Sequence, residues 1–211
     1  MVRIDQLTQT HLDVLKEVGN IGAGNAATAL SSLLNKKIDM TIPSINIVDF
    51  NELMDYVGGP ETLIVSVFLR IQGEAPGSMF FVLTPEETNA LVKRLLGDTE
   101  FKAEELMEKE MAYSAISEIG NILSGSYLSA LSDFTSINMQ PTVPTLVLDM
   151  AAAILMEGLV EVSQESDHAI IIDTMIEDGE GSTSSVKGHF FLLPDPDSFD
   201  KIFSALGVLD K

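Results

Sequence analysis

The chain has 211 residues, room for one large domain or two small ones, and 45% of them are hydrophobic, an ordinary globular value. Twelve lysines and arginines against 32 aspartates and glutamates leave a net charge of −20, which repels nucleic acid and anionic membranes and favours basic partners or simple solubility. No apolar run is long enough to span a bilayer, the opening MVRIDQLTQT has no signal core, and the absence of cysteine removes thiolate metal sites and fits a reducing cytoplasm.

A long helix over about 10–35 is the first predicted element. Leu12, Leu15 and Val18 recur at helical spacing, and Thr10 with Asp13 has the form of an N-terminal capping pair. Inside it lies EVGNIGAGNAATAL (17–30), with Gly19, Gly22 and Gly24 close together. A dinucleotide-binding loop needs a strand before its glycines and a helix opening at them. Here the helix is already under way, so each glycine costs about 1 kcal/mol against alanine. Something must offset that cost.

A strand near MTIPSINIV (40–48) follows, then FNELMDYVGG (50–59), the strand-like runs TLIVSVFLRIQG and MFFVLT, and a short helix over about 85–96 with Pro85 in its first turn. GDTEFKAEE leads into a second unit of the same order. Its parts are a helix over about 104–134, a strand within NMQPTVPTLVL (138–148), and the helix LDMAAAILMEGLVE (148–161). HAIIIDTMIE and KGHFFLL then flank the polar turn EDGEGSTSS (177–185), and a helix over about 195–206 closes the unit.

The two units are copies. EVGNIGAGNAATALS (17–31) lies over EIGNILSGSYLSALS (118–132) at a displacement of 101, with eight of fifteen positions identical. Gly22 becomes Leu123, so no phosphate-binding loop is shared; Glu-x-x-Asn with a glycine four residues on is what both copies keep. The expected architecture is α/β (α+β), with a pseudo-twofold internal repeat and a largely antiparallel sheet flanked by helices. Residues 1–211 should form a single domain of two repeats, about 1–100 and 101–211.

Helical projection puts Asp13, Glu17, Asn20, Gly24, Ala27 and Ser31 on one stripe of the first helix, and Leu15, Val18, Gly22, Ala26, Ala29 and Leu33 on the buried side. The second helix places Ser114, Glu118, Asn121, Gly125, Leu128 and Ser132 opposite a buried side of Ile116, Ile119, Leu123, Tyr127, Ala130 and Phe134. An ordinary solvated face carries long charged chains of both signs. These stripes carry a Glu–Asn pair and small residues, either because another protein's backbone approaches or because Glu and Asn bond internally. No metal site is expected: Glu and Asn offer two oxygens, and His11, His168 and His189 do not cluster.

The pattern (Asp or Ser)-x3-Glu-x2-Asn-x22-Pro resembles the signature of the CheC/CheX/FliY family of phosphatases of bacterial chemotaxis. It occurs twice, as Asp13, Glu17, Asn20, Pro43 and as Ser114, Glu118, Asn121, Pro144. The resemblance covers nearly the whole chain and implies a cytoplasmic hydrolase whose substrate is the phosphorylated response regulator CheY. By resemblance Asn20 and Asn121 orient the attacking water, and Glu17 and Glu118 pair with the regulator's active-site lysine. Asp13 and Ser114 become docking positions, and the prolines are structural. No cofactor of its own is implied, since Mg²⁺ belongs to the regulator. The resemblance also implies binding to the receptor deamidase CheD, for which Asp149, at the start of the helix that holds Met150, Ile154 and Met156, marks the candidate surface. The opposing expectation is a non-catalytic interaction protein of the flagellar switch.

Overall fold

The computed structural model describes residues 8–162, 168–178 and 185–207. In chain order the elements are α1 (Gln9–Leu34), β1 (Ile38–Thr41), β2 (Ile45–Asp49), α2 (Phe50–Asp55), β3 (Leu63–Gly73), β4 (Gly77–Leu83) and α3 (Pro85–Leu96). A 3-10 turn (Ala103–Glu108) leads to α4 (Glu110–Thr135), β5 (Met139–Pro141), β6 (Thr145–Met150), α5 (Ala151–Val162), β7 (His168–Asp178), β8 (Ser185–Pro194) and α6 (Pro196–Ala205). The expected polar turn over 177–185 falls mostly on 179–184, outside the described residues.

Local chemistry sets the boundaries. The strand expected over 40–48 is two strands with Pro43 in the gap, and 138–148 divides in the same way around Pro144. Proline has no N–H for a ladder, so each chain bends there and rejoins the sheet. In α3, Glu87 N donates to Thr84 Oγ1 at 3.3 Å while Thr84 N donates back to Glu87 Oε2 at 2.8 Å. Two expectations at helix starts need correction. Thr8 precedes α1, with its N–H on His11 Nδ1 at 3.0 Å, and Asp13 instead accepts from the Gln9 amide at 3.1 Å. The second long helix does not begin at 104: Lys109, with φ −102° and ψ 86°, separates the 3-10 turn from α4.

Among the described residues all ladders are antiparallel, in the order β1-β7-β8-β4-β3-β5, with β2 also on β7 and β6 also on β3. The repeats exchange strands. β1 and β2 from the first pair with β7 of the second, while β5 and β6 from the second pair with β3 of the first. β4 and β8 meet at the centre, where Phe80 faces Phe191 and Phe81 faces Phe190.

Alternation along the strands sends Ile170, Ile172, Phe190 and Leu192 towards α1, α3, α4 and α6. Ile171, Phe191, Phe80 and Val82 point to the opposite layer, under α2 and α5. With helices on both faces, every residue of β4 is buried. On the first layer Tyr127 reaches Thr174 Oγ1 at 3.1 Å, and burial pushes its phenol up to about 12. On the second, the buried Asp173 carboxylate lies between Ser44 Oγ and His189 Nδ1, the latter at 2.7 Å. With the carboxylate between them, the imidazole cannot take the hydroxyl proton directly, so this trio is not a nucleophile–base pair.

Candidate active site

Most of the helix glycines are explained by packing. A Cβ on Gly19 would sit 2.5 Å from Ile42 Cδ1, and one on Gly120 would sit 2.6 Å from both Val67 Cγ atoms. At Gly22 it would meet Tyr127 Cδ1 at 2.7 Å and its Cα at 3.0 Å, so this glycine lets α1 and α4 touch backbone to side chain. Gly24 and Gly125 are different: nothing lies within 4 Å of a Cβ at either. The fold does not require them. They leave the outward face low beside the Glu–Asn pairs.

Glu17 and Glu118 are exposed, as are Asp13 and Ser114. The two asparagines differ. Asn20 is half-buried and its Oδ1 accepts the Ile42 N–H at 3.1 Å, while Lys16 Nζ donates to Pro43 O at 2.6 Å. The Asn-x22-Pro spacing thus has a physical meaning in the first repeat: residues 42–43 return to the side of α1. In the second repeat the corresponding bond to the asparagine is not made. Thr142 is held by β3, through Thr142 N to Arg70 O at 2.9 Å and Arg70 N to Thr142 Oγ1 at 3.0 Å, and Val143 is 88% exposed. Asn121 is exposed and has no hydrogen-bond partner among the described residues. Internal bonding therefore accounts for one end of Asn20 and for nothing at Asn121.

Several assignments to helix faces change. Ala29, Leu33 and Phe134 are exposed, and Leu128, expected on the polar stripe, is buried. Ser31 and Ser132 are anchors: Ser31 Oγ accepts the Ile38 N–H at 2.9 Å, and Ser132 Oγ donates to Ile137 O at 2.6 Å. Projection omitted Ile21, which is 46% exposed one turn beyond Glu17. Its signal was present, because Ile21 and Ile122 are identical between the repeats.

Asp149 is exposed at the end of β6, one residue outside the turn that opens α5, and its Oδ1 accepts the Met150 N–H at 2.7 Å. Beside it an open groove of about 410 Å³ is lined by Phe68, Phe80, Thr145, Val147 and Ala153. Met150 and Met156 are exposed, and Ile154, largely buried against the sheet, contributes to the lining of the same groove. His11 caps α1, His189 is in the buried pair, and the His168 side chain lies outside the described residues. Among the described residues no helix is long and apolar enough to cross a membrane.

A mixed α/β body built on an antiparallel sheet, with a Glu–Asn face on each of two repeated helices, defines the class of protein. The CheC-like family profile matches residues 11–47 and 111–148, the two segments that carry those faces. Over 202 residues the chain is 46% identical to the CheY-P phosphatase CheC of Bacillus subtilis (strain 168), covering 96% of each. It is 28% identical over 145 residues to the flagellar motor switch phosphatase FliY of the same organism, which spans 69% of this chain and 37% of that one. The fold matches FliY of Thermotoga maritima with a TM-score of 0.75 at 23% identity, over 96% of this chain and 98% of that one. The chain belongs to the CheC-like family.

Proposed function

We propose that this protein hydrolyses the aspartyl phosphate of phosphorylated CheY. The observation that carries the reading is 46% identity, across nearly the full length, to a protein that performs this reaction. Both Glu–Asn pairs stand on outward helix faces with an unobstructed glycine one turn away, which suits a helix seated in a partner's active site.

In the step itself, water attacks phosphorus, the bond from phosphorus to the aspartate oxygen breaks, and the regulator regains its carboxylate as inorganic phosphate leaves. Such transfers need positioning and charge stabilisation more than covalent help. The regulator's own Mg²⁺ supplies the charge stabilisation as part of the substrate. An amide has no useful basicity near neutral pH, so the asparagine acts by orienting the water. Asn121 offers its whole amide; Asn20, half-buried and with one lone pair of its oxygen on the Ile42 N–H, is the more constrained of the two. Glu17 and Glu118 hold the docked helix through the regulator's active-site lysine.

Phosphate release from phosphorylated CheY tests this. Asn121→Ala should slow turnover more than Asn20→Ala, and the double variant should lose about 10²–10³-fold. A double variant working at the parent rate would falsify the reading.

The family resemblance supports CheD as a second partner, held at Asp149 and the groove beside it. Asp149→Lys should weaken CheD binding in calorimetry and leave phosphate release unchanged, since a reversed charge at a contact opposes docking. Normal CheD affinity in the folded variant would exclude Asp149 from that interface.

A further inference from the structure

The outward faces of α1 and α4 carry apolar side chains that the core does not use. Ile21 is 46% exposed and Met111 is 72% exposed. Both repeats place an isoleucine one turn beyond the glutamate, Ile21 after Glu17 and Ile122 after Glu118. Met111 precedes Glu118 by seven residues; at about 100° per residue it returns to within about 20° of the glutamate, two turns up the same face. The equivalent position in the first repeat is Thr10, beside Gln9 and Asp13. One face therefore opens on polar groups and the other on a bare thioether.

A single exposed apolar side chain is ordinary, but the position of Met111 is not arbitrary. It lies about 10 Å along the axis from Glu118 and about 15 Å from Asn121. A standard interface covers about 800 Å² per partner, a patch of about 16 Å radius. A patch of that size centred on Glu118 and Asn121 reaches Met111.

We infer that Met111, with the outer edge of the half-buried Ile122, forms an apolar docking strip with which the second repeat grips the phosphorylated receiver, and that the first repeat, whose Ile21 is more exposed but which has Thr10 in place of Met111, grips it more weakly. The inference rests on the phosphatase reading above. The strip is continuous with the Glu–Asn pair, which places the receiver on it. A second copy of this chain is disfavoured, because Glu108, Glu110 and Glu118, all exposed, would face their own counterparts. Methionine suits the task, since its flexible thioether adapts to an irregular partner surface.

The test uses the full chain carrying Glu17→Arg and Asn20→Ala, which removes docking and chemistry at the first face and leaves the second site to bind and act. Binding is read with CheY activated by beryllofluoride and Mg²⁺, and turnover with phosphorylated CheY. Met111→Asp should raise Kd and KM by about tenfold with kcat at saturation retained, while Met111→Leu keeps all three at the parent values. An unchanged Kd in Met111→Asp overturns the strip, and continued turnover by the parent leaves the phosphatase reading standing. A parent that neither binds nor turns over CheY overturns both. If Met111→Asp instead dissolves a homodimer in sedimentation without changing Kd, the occupant is a second copy and the inference fails.

Discussion

Asn20 serves the fold as well as the proposed chemistry. Truncating it strips the Ile42 N–H of its acceptor, whereas truncating Asn121 breaks no bond among the described residues. Asn20→Ala should therefore cost about 1–2 kcal/mol in urea unfolding, and Asn121→Ala should stay within about 0.5 kcal/mol. Equal losses would mean that the Asn20–Ile42 bond contributes nothing. A second residue-scale effect concerns alkaline pH. Burial raises the folded-state value of the Tyr127 phenol to about 12 from 10.0, so the fold favours its neutral form. The resulting stability is complete below about pH 10 and is lost as pH climbs through about 12. Tyr127→Phe loses the bond to Thr174 and, having no phenol, is free of this alkaline decline, so its deficit against the parent should narrow between pH 8 and pH 11. A constant deficit would contradict the buried, neutral phenol.

At the scale of elements, the glycines divide by purpose. Gly22→Ala presses a methyl into the Tyr127 backbone and should destabilise by about 1–3 kcal/mol. Gly125→Ala meets nothing and gains helix propensity worth about 1 kcal/mol, so its melting temperature should rise by about 2–4 °C. If the receiver lies against this face, the same methyl should raise KM. A stabilised variant with unchanged KM would place the receiver elsewhere. Much of this level was legible beforehand. The displacement of 101 exposed the repeated helix, Pro85 marked α3, and the glycines were correctly placed inside a helix rather than in a loop. The start of α4 was not legible, because residues 103–108 continue the helical pattern of apolar spacing and only the backbone at Lys109 breaks it. Nor was the inequality of Asn20 and Asn121. Identical spacing to a proline says nothing about which copy bonds its asparagine to the returning chain: Ile42 N reaches Asn20, whereas Val143 is left 88% exposed.

For the whole molecule, the alternation of side chains tells each strand which face to bury but not which neighbour to pair with, so the exchange of strands left no mark in the sequence. Its effect on stability is direct. Residues 1–100 alone would leave β1 and β2 without β7, and residues 101–211 alone would leave β5 and β6 without β3. Each half expressed separately should lack cooperative unfolding, while the full chain should show one transition by circular dichroism and by fluorescence of an introduced tryptophan. Two separated transitions would mean that the halves fold independently.

The exchanged ladders also make the covalent join between the repeats dispensable to the architecture. Residues 98–100 are exposed and belong to no strand or helix. A protease cut there would sever the backbone yet leave β4 on β8 and each repeat's strands on the other's. The product would be a heterodimer, two chains on a denaturing gel and one particle in solution, each half clasped by strands the other lends it.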